Sequence, residues 1–167
     1  MTFPDVAAAR PTPTVLQRRR RGGFTIVELL ISLLIVGILV SIAYPAYNRY
    51  QEKIRVRTAV QDIAILSALV KAHADFHGEY PATLGAATGG TPKADPWGRP
   101  YQYLNFALPG ARGLARKDHA LVPINSDFDL YSLGPDGRSS PPLTASHSRD
   151  DIVRANDGRY IGVASEY

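Results

Sequence analysis

At 167 residues the chain has room for one ordinary domain and an appended helix. It holds no cysteine, which removes disulfides, thiolate metal sites and a cysteine nucleophile. The formal net charge of +4 lies wholly in residues 1–23, where Arg10, Arg18, Arg19, Arg20 and Arg21 face only Asp5, and the other 144 residues carry 14 basic and 14 acidic side chains. A nucleic-acid reader spreads its positive charge over a folded surface. Here the charge precedes an apolar segment, where the positive-inside rule keeps it on the cytoplasmic side.

Residues 1–23 lack apolar periodicity and contain Pro4, Pro11 and Pro13, so they read as a disordered leader. Phe24 to Tyr44 is a 21-residue apolar stretch with one charge, Glu28. As a helix it spans roughly 31 Å, about the hydrocarbon thickness of a bilayer. A cleavable secretory signal has a shorter apolar region followed by small residues. In this chain the small pair Gly22-Gly23 stands before the apolar run, so a cut there leaves the helix on the mature protein. Glu28 is the costly residue, because an ionised carboxylate in a membrane needs a partner or a task. A cut after Gly23 would give Phe24 a free α-amino group, which a Glu28 carboxylate of a neighbouring copy could meet. The plainer alternative is that Glu28 lies near the interface and snorkels.

Pro45 follows the apolar run, and from there to His77 the pattern becomes amphipathic. Ile54, Ala59, Val60, Ile63, Leu66, Leu69, Val70 and Ala74 recur mostly at three- and four-residue spacings. This segment, 45–77, continues the first as one helix of ~50 residues, roughly 75–80 Å long, bent or loosened near Pro45. Gly78 is its expected stop. Residues 78–96, rich in Gly, Pro, Thr and Ala, read as a loop. Alternation predicts strands over 100–104, 128–133 and 159–164, with polar connections at 109–119 and 138–151. The expected architecture is α+β: a long helix packed on a small antiparallel sheet of three or so strands, with the head occupying 78–167.

Two groups of acids could carry chemistry. Asp136 lies in a Gly-flanked turn, and Asp150 and Asp151 close the next loop. Carboxylates with loop carbonyls are the hard oxygen donors Ca²⁺ prefers. The spacing is not that of an EF-hand, and Asp in Gly-Pro-Asp-Gly also serves a turn through local hydrogen bonds. The histidines offer less: His73 and His77 are four apart on the helix, with no third ligand in the pattern. Trp97, Tyr101, Tyr103 and Tyr131 read as core and sheet-face aromatics. No nucleophile motif, phosphate loop or nicotinamide fingerprint occurs.

The run Gly22-Gly23-Phe24-Thr25-Ile26-Val27-Glu28-Leu29-Leu30 resembles the prepilin processing motif of type IV pilins and pseudopilins. Further on, Gly78-Glu79-Tyr80-Pro81, Asp95-Pro96-Trp97-Gly98-Arg99-Pro100-Tyr101-Gln102-Tyr103 and Asp129-Leu130-Tyr131-Ser132-Leu133-Gly134-Pro135-Asp136-Gly137 resemble the major pseudopilins of type II secretion systems. The resemblance implies a type IV pilin-like fold and a structural, non-enzymatic subunit of a periplasmic pseudopilus in the bacterial inner membrane. It implies cleavage after Gly23 and methylation of Phe24 by a prepilin peptidase, and a Phe24–Glu28 pair in assembly. The implied partners are further copies of the chain, the inner-membrane platform and the minor pseudopilins, with no nucleic acid. It also implies Ca²⁺ in the C-terminal loop, held by the Leu133 carbonyl and Asp136, with Asp150 and Asp151 supplying the acid near Ile152. The chain departs from the pattern in its long leader, in residues 106–127, which look like an insertion, and in the ending 148–158. A type IV pilus subunit, for adhesion, motility or DNA uptake, is the first rival. A membrane-anchored domain that is never cleaved is the second.

Overall fold

The structure is a computed structural model that describes residues 23–167; the rest of the predicted leader, including Gly22, lies outside the described residues. Its first element, α1, runs Ile26–His77 with Pro45 inside it, and the chain divides into two compact units at Ala43/Tyr44. The helix runs through Pro45 without a break.

In the first unit every described side chain is exposed, including the apolar residues from Ile26 to Ile42. Such a surface is stable only when lipid or protein covers it. Gly78, with a φ of 79°, ends α1 and donates its amide to the Ala74 carbonyl at 2.8 Å.

The second unit builds a meander on the rest of α1. Strands β1 (Gln102–Asn105), β2 (Phe128–Ser132), β3 (Ile152–Ala155) and β4 (Tyr160–Val163) pair antiparallel in that order. The sheet therefore has four strands. The extra one, β3, lies just after the polar loop 138–151, within the segment 148–158 read as an altered ending. A short helix, α2 (Leu84–Thr88), also interrupts the expected loop 78–96, capped by Thr83, whose hydroxyl accepts from the Ala86 amide at 3.3 Å.

Alternation along the strands gives the sheet two covered faces. On one, Phe128, Leu130 and Ile152 pack with Ala59, Ile63, Leu66 and Val70 of α1, together with Leu84 and Tyr101. Ile54 and Leu69, expected on the same helical stripe, are exposed at 40% and 41%. On the other face, Val153 and Ala155 pack with Ile124, Leu143 and Ala164 from irregular segments. The aromatics have polar anchors: Tyr101 donates to Asp62 at 2.9 Å, Tyr103 to the Pro81 carbonyl at 3.0 Å and Trp97 to Glu52 at 3.1 Å.

Candidate functional site

At the N-terminus, Thr25 starts α1. Its hydroxyl accepts from the Glu28 amide at 3.1 Å, and its carbonyl accepts from the Leu29 amide at 3.1 Å. Glu28 is thus the acid of the first helical turn, where the helix dipole favours negative charge. Phe24 is 81% exposed and Glu28 is exposed as well. Among the described residues the Glu28 carboxylate has neither a hydrogen-bond nor an ion-pair partner. Gly23 stands directly before them, outside the helix.

The C-terminal loop is built on the turn after β2. Gly134 and Gly137 have φ of 62° and 72°, a region that glycine enters freely. The turn closes through the Gly137 amide, which donates to the Leu133 carbonyl at 3.2 Å. The Asp136 carboxylate accepts from the Arg138 amide at 2.7 Å, and Asp150 accepts from the Asp136 amide at 3.2 Å. Leu133, Asp136 and Asp150 therefore share one turn.

Asp151 faces elsewhere. It is fully buried, and its Oδ2 accepts from Arg116 Nη2 at 2.5 Å and from the Ser139 hydroxyl at 2.6 Å. Burial pushes its carboxyl up to about 6, against the pull of the Ser139 hydroxyl and the Arg116 guanidinium. Among the described residues no group of three or more His, Cys, Asp or Glu side chains comes together as a metal would require. Arg99 adds a second guanidinium at the turn, donating from Nη2 to the Pro135 carbonyl at 2.9 Å. It is aimed there by the Asp95–Arg99 turn, in which Asp95 accepts from the Trp97 and Arg99 amides at 3.1 and 2.8 Å.

Sequence reasoning passed over Arg116, which lies in the segment read as a polar connection and an insertion. It also passed over Arg154 of β3. That guanidinium is almost fully buried and donates to both carboxylate oxygens of Asp127, at 2.8 and 2.6 Å. It also donates to the Phe128 carbonyl and, through Nε, to Ser67 of α1, while stacking 3.9 Å over the Phe128 ring. His73 and His77 pack against each other, with ring centroids 4.3 Å apart, and His77 also meets the Phe76 ring edge-on at 4.9 Å.

The model of the prokaryotic N-terminal methylation motif matches residues 18–44. The type II secretion system core protein G of Pseudomonas aeruginosa is 31% identical over 143 residues, covering 74% of this chain and 89% of that protein. The chain belongs to the family of type II secretion system core protein G. The core protein G of Aeromonas hydrophila is 31% identical over 74% of this chain and 90% of its own length. For that of Klebsiella pneumoniae the figures are 29%, 80% and 94%. A type IV major pilin of Neisseria gonorrhoeae is 34% identical, but over only 44% of each chain. No solved structure matches the chain. For a core protein G, the methylation motif falls on the Gly23-Phe24 step and the exposed apolar unit, and the meander carries the C-terminal loop.

Proposed function

We propose that the chain is the major structural subunit of a type II secretion pseudopilus, with no catalytic role. The observation that carries this reading is the core protein G match along most of both chains, beginning with the methylation motif. In this reading residues 1–23 are a leader cut after Gly23 by a prepilin peptidase, which then methylates Phe24. Residues 24–44 cross the inner membrane, 45–77 form the helical spine of the head, and 78–167 complete the head in the periplasm. The apolar helix then leaves lipid for the fibre, packing against its counterparts on other copies.

Glu28 acts at that transfer. In a water-excluded bundle of helices, an unpaired ammonium and an unpaired carboxylate are each costly, and as a close pair they compensate one another. An arriving subunit is held in register when its Phe24 ammonium reaches Glu28 of a neighbour. Repeated addition on the inner-membrane platform, with minor pseudopilins as partners, pushes exported proteins through an outer-membrane pore. The core protein G relatives, which match over most of their length, favour this reading over a type IV pilus subunit.

Calcium in the C-terminal loop, which the resemblance implies, does not suit the donors as they stand. The acid next to Ile152 gives its Oδ2 to a guanidinium while its Oδ1 has no partner among the described residues, and one oxygen each of Asp150 and Asp136 accepts from a backbone amide.

Two measurements test the assignment. Mass spectrometry of the mature protein should find N-methyl-Phe24 as its first residue; an intact leader would support the uncleaved membrane anchor. Deleting the gene should trap exported proteins in the periplasm, with release restored by the intact gene. Normal secretion coupled with loss of surface fibres would favour the pilus.

A further inference from the structure

We infer that Arg116 supplies, from within the chain, the cation that closes the C-terminal loop, taking the place of a divalent metal. The metal expectation rests on reading the chain as a pseudopilin, whereas the arginine clip rests on geometry alone.

Arg116 is 3% exposed, and its guanidinium faces oxygen donors from the loop. Nη2 donates to the Asp151 carboxylate at 2.5 Å. Nη1 donates to the Ser140 carbonyl at 2.6 Å and to the Ser139 hydroxyl. One carboxylate, one carbonyl and one hydroxyl are the oxygen types a calcium ion would collect. Here they are gathered around a delocalised monovalent cation that does not lose its proton. The far side of the group is closed by the Tyr131 ring, whose centroid lies 4.5 Å from Cζ.

Arg116 comes from residues 106–127, the stretch by which the chain departs from the family pattern. The backbone there is fastened to the same loop. The Arg116 amide donates to buried Asp129 at 2.6 Å. The Lys117 amide donates to the Pro141 carbonyl at 2.8 Å, and the Leu143 amide returns a bond to the Lys117 carbonyl at 2.9 Å. The loop is pinned internally as well, since Ser148 Oγ both accepts from the Ser140 amide and donates to the Ser140 carbonyl at 2.8 Å.

The charge balance points the same way. Loop residues 134–151 contain Asp136, Asp150 and Asp151 but also Arg138 and Arg149, and Arg99 and Arg116 reach in from outside. A divalent ion would add charge beside a guanidinium that already pairs with Oδ2 of the buried Asp151, although Asp151 Oδ1 and Arg116 Nε have no partner among the described residues. The segment that looks like an insertion thus brings the cation, and the loop that receives it supplies Ser139, Ser140 and, from the changed ending, Asp151.

The test uses the mature full-length chain in detergent, melted in EDTA and in millimolar CaCl₂. The wild-type melts should superimpose, and a calorimetric titration with CaCl₂ should show no binding heat. Arg116→Gln and Asp151→Asn should each lower Tm by about 10 °C, as loss of one partner of a buried pair does. The double variant should lose clearly less than the two shifts combined. A calcium-dependent rise in wild-type Tm with saturable heat would overturn the proposal. So would an Arg116→Gln protein that melts with the wild type. The wild-type titration needs no variant to fold, and neither measurement depends on secretion, so the functional reading stands or falls separately.

Discussion

Replacing Arg154 with Met keeps an unbranched side chain of similar length in β3 and removes the guanidinium. Four acceptors are then left: both oxygens of Asp127, the Phe128 carbonyl and the Ser67 hydroxyl. Removing one partner of a buried ion pair costs about 3–5 kcal/mol. The lower end applies to Arg154→Met, because the Asp127 side chain is 12% exposed and Asp127 Oδ1 also accepts from the Phe128 amide at 2.7 Å. About 3 kcal/mol in a unit of 124 residues, Tyr44–Tyr167, corresponds to a fall in Tm of roughly 10 °C. The opposite removal, Asp127→Asn, should cost more. It leaves a fully buried guanidinium that cannot shed its proton, whereas an orphaned carboxylate can take one up. Thermal melts of the mature chain in detergent, followed by circular dichroism, measure both. The reasoning is refuted if Arg154→Met melts within about 3 °C of wild type, since an interaction worth about 1 kcal/mol or less would explain that result.

Glu28→Ala should insert and be processed normally yet assemble poorly, so sheared-fibre yield falls while the membrane-bound subunit pool is unchanged; undiminished fibre yield would remove the Phe24–Glu28 pair from the mechanism. Gly134→Ala should destabilise the head far more than Gly137→Ala. Both have positive φ, but a methyl at Gly134 strikes the fixed Asp150 carbonyl, whereas at Gly137 it meets the movable end of Arg99. Comparable melting temperatures for the two variants would contradict this. Asp157 titrates below the ordinary carboxylate range, chiefly because the Ser126 amide donates to it at 2.7 Å. Its contribution to stability is therefore complete above about pH 4 and is lost as pH falls through its folded value. Asp157→Asn tolerates the same left-handed backbone and should flatten the acid side of the Tm–pH curve; an unchanged acid limb would show that other carboxylates govern it.

The legible parts of the fold were those with a period. The apolar run, the buried stripe Ala59, Ile63, Leu66 and Val70, and three of the strands follow from spacing and alternation. Strand β3 has no such signal. Its four residues are all buried because both faces of the sheet are covered, and one of them is an arginine, which reads as an exposed position. Ile54 and Leu69 fit the helical stripe, yet the head does not reach around far enough to cover them. The N-terminal site was readable because its residues are contiguous. The loop was readable only as a cluster of acids. What each acid faces depends on Arg116, 35 residues before Asp151 in the chain, and nothing in Leu114-Ala115-Arg116-Lys117 marks that arginine as buried.

The two buried arginines suggest how a cysteine-free head keeps a single arrangement. Each ties together segments remote in sequence: Arg154 reaches Ser67, 87 positions away, and Arg116 reaches Asp151. Apolar contacts between α1 and the sheet supply burial but tolerate sliding, since one aliphatic side chain packs nearly as well as its neighbour. A guanidinium fork does not tolerate it, because a shift of an ångström or two leaves buried donors unpaired at a cost of a few kcal/mol. Compared with an apolar pair of the same shape, the net stability of such a pair is small once desolvation is counted, although losing one partner alone is costly, so what the intact pair adds is register. A fibre subunit needs that register. Every copy must present the same surface to the next, and a head free to slip along α1 would offer each arriving neighbour a different one.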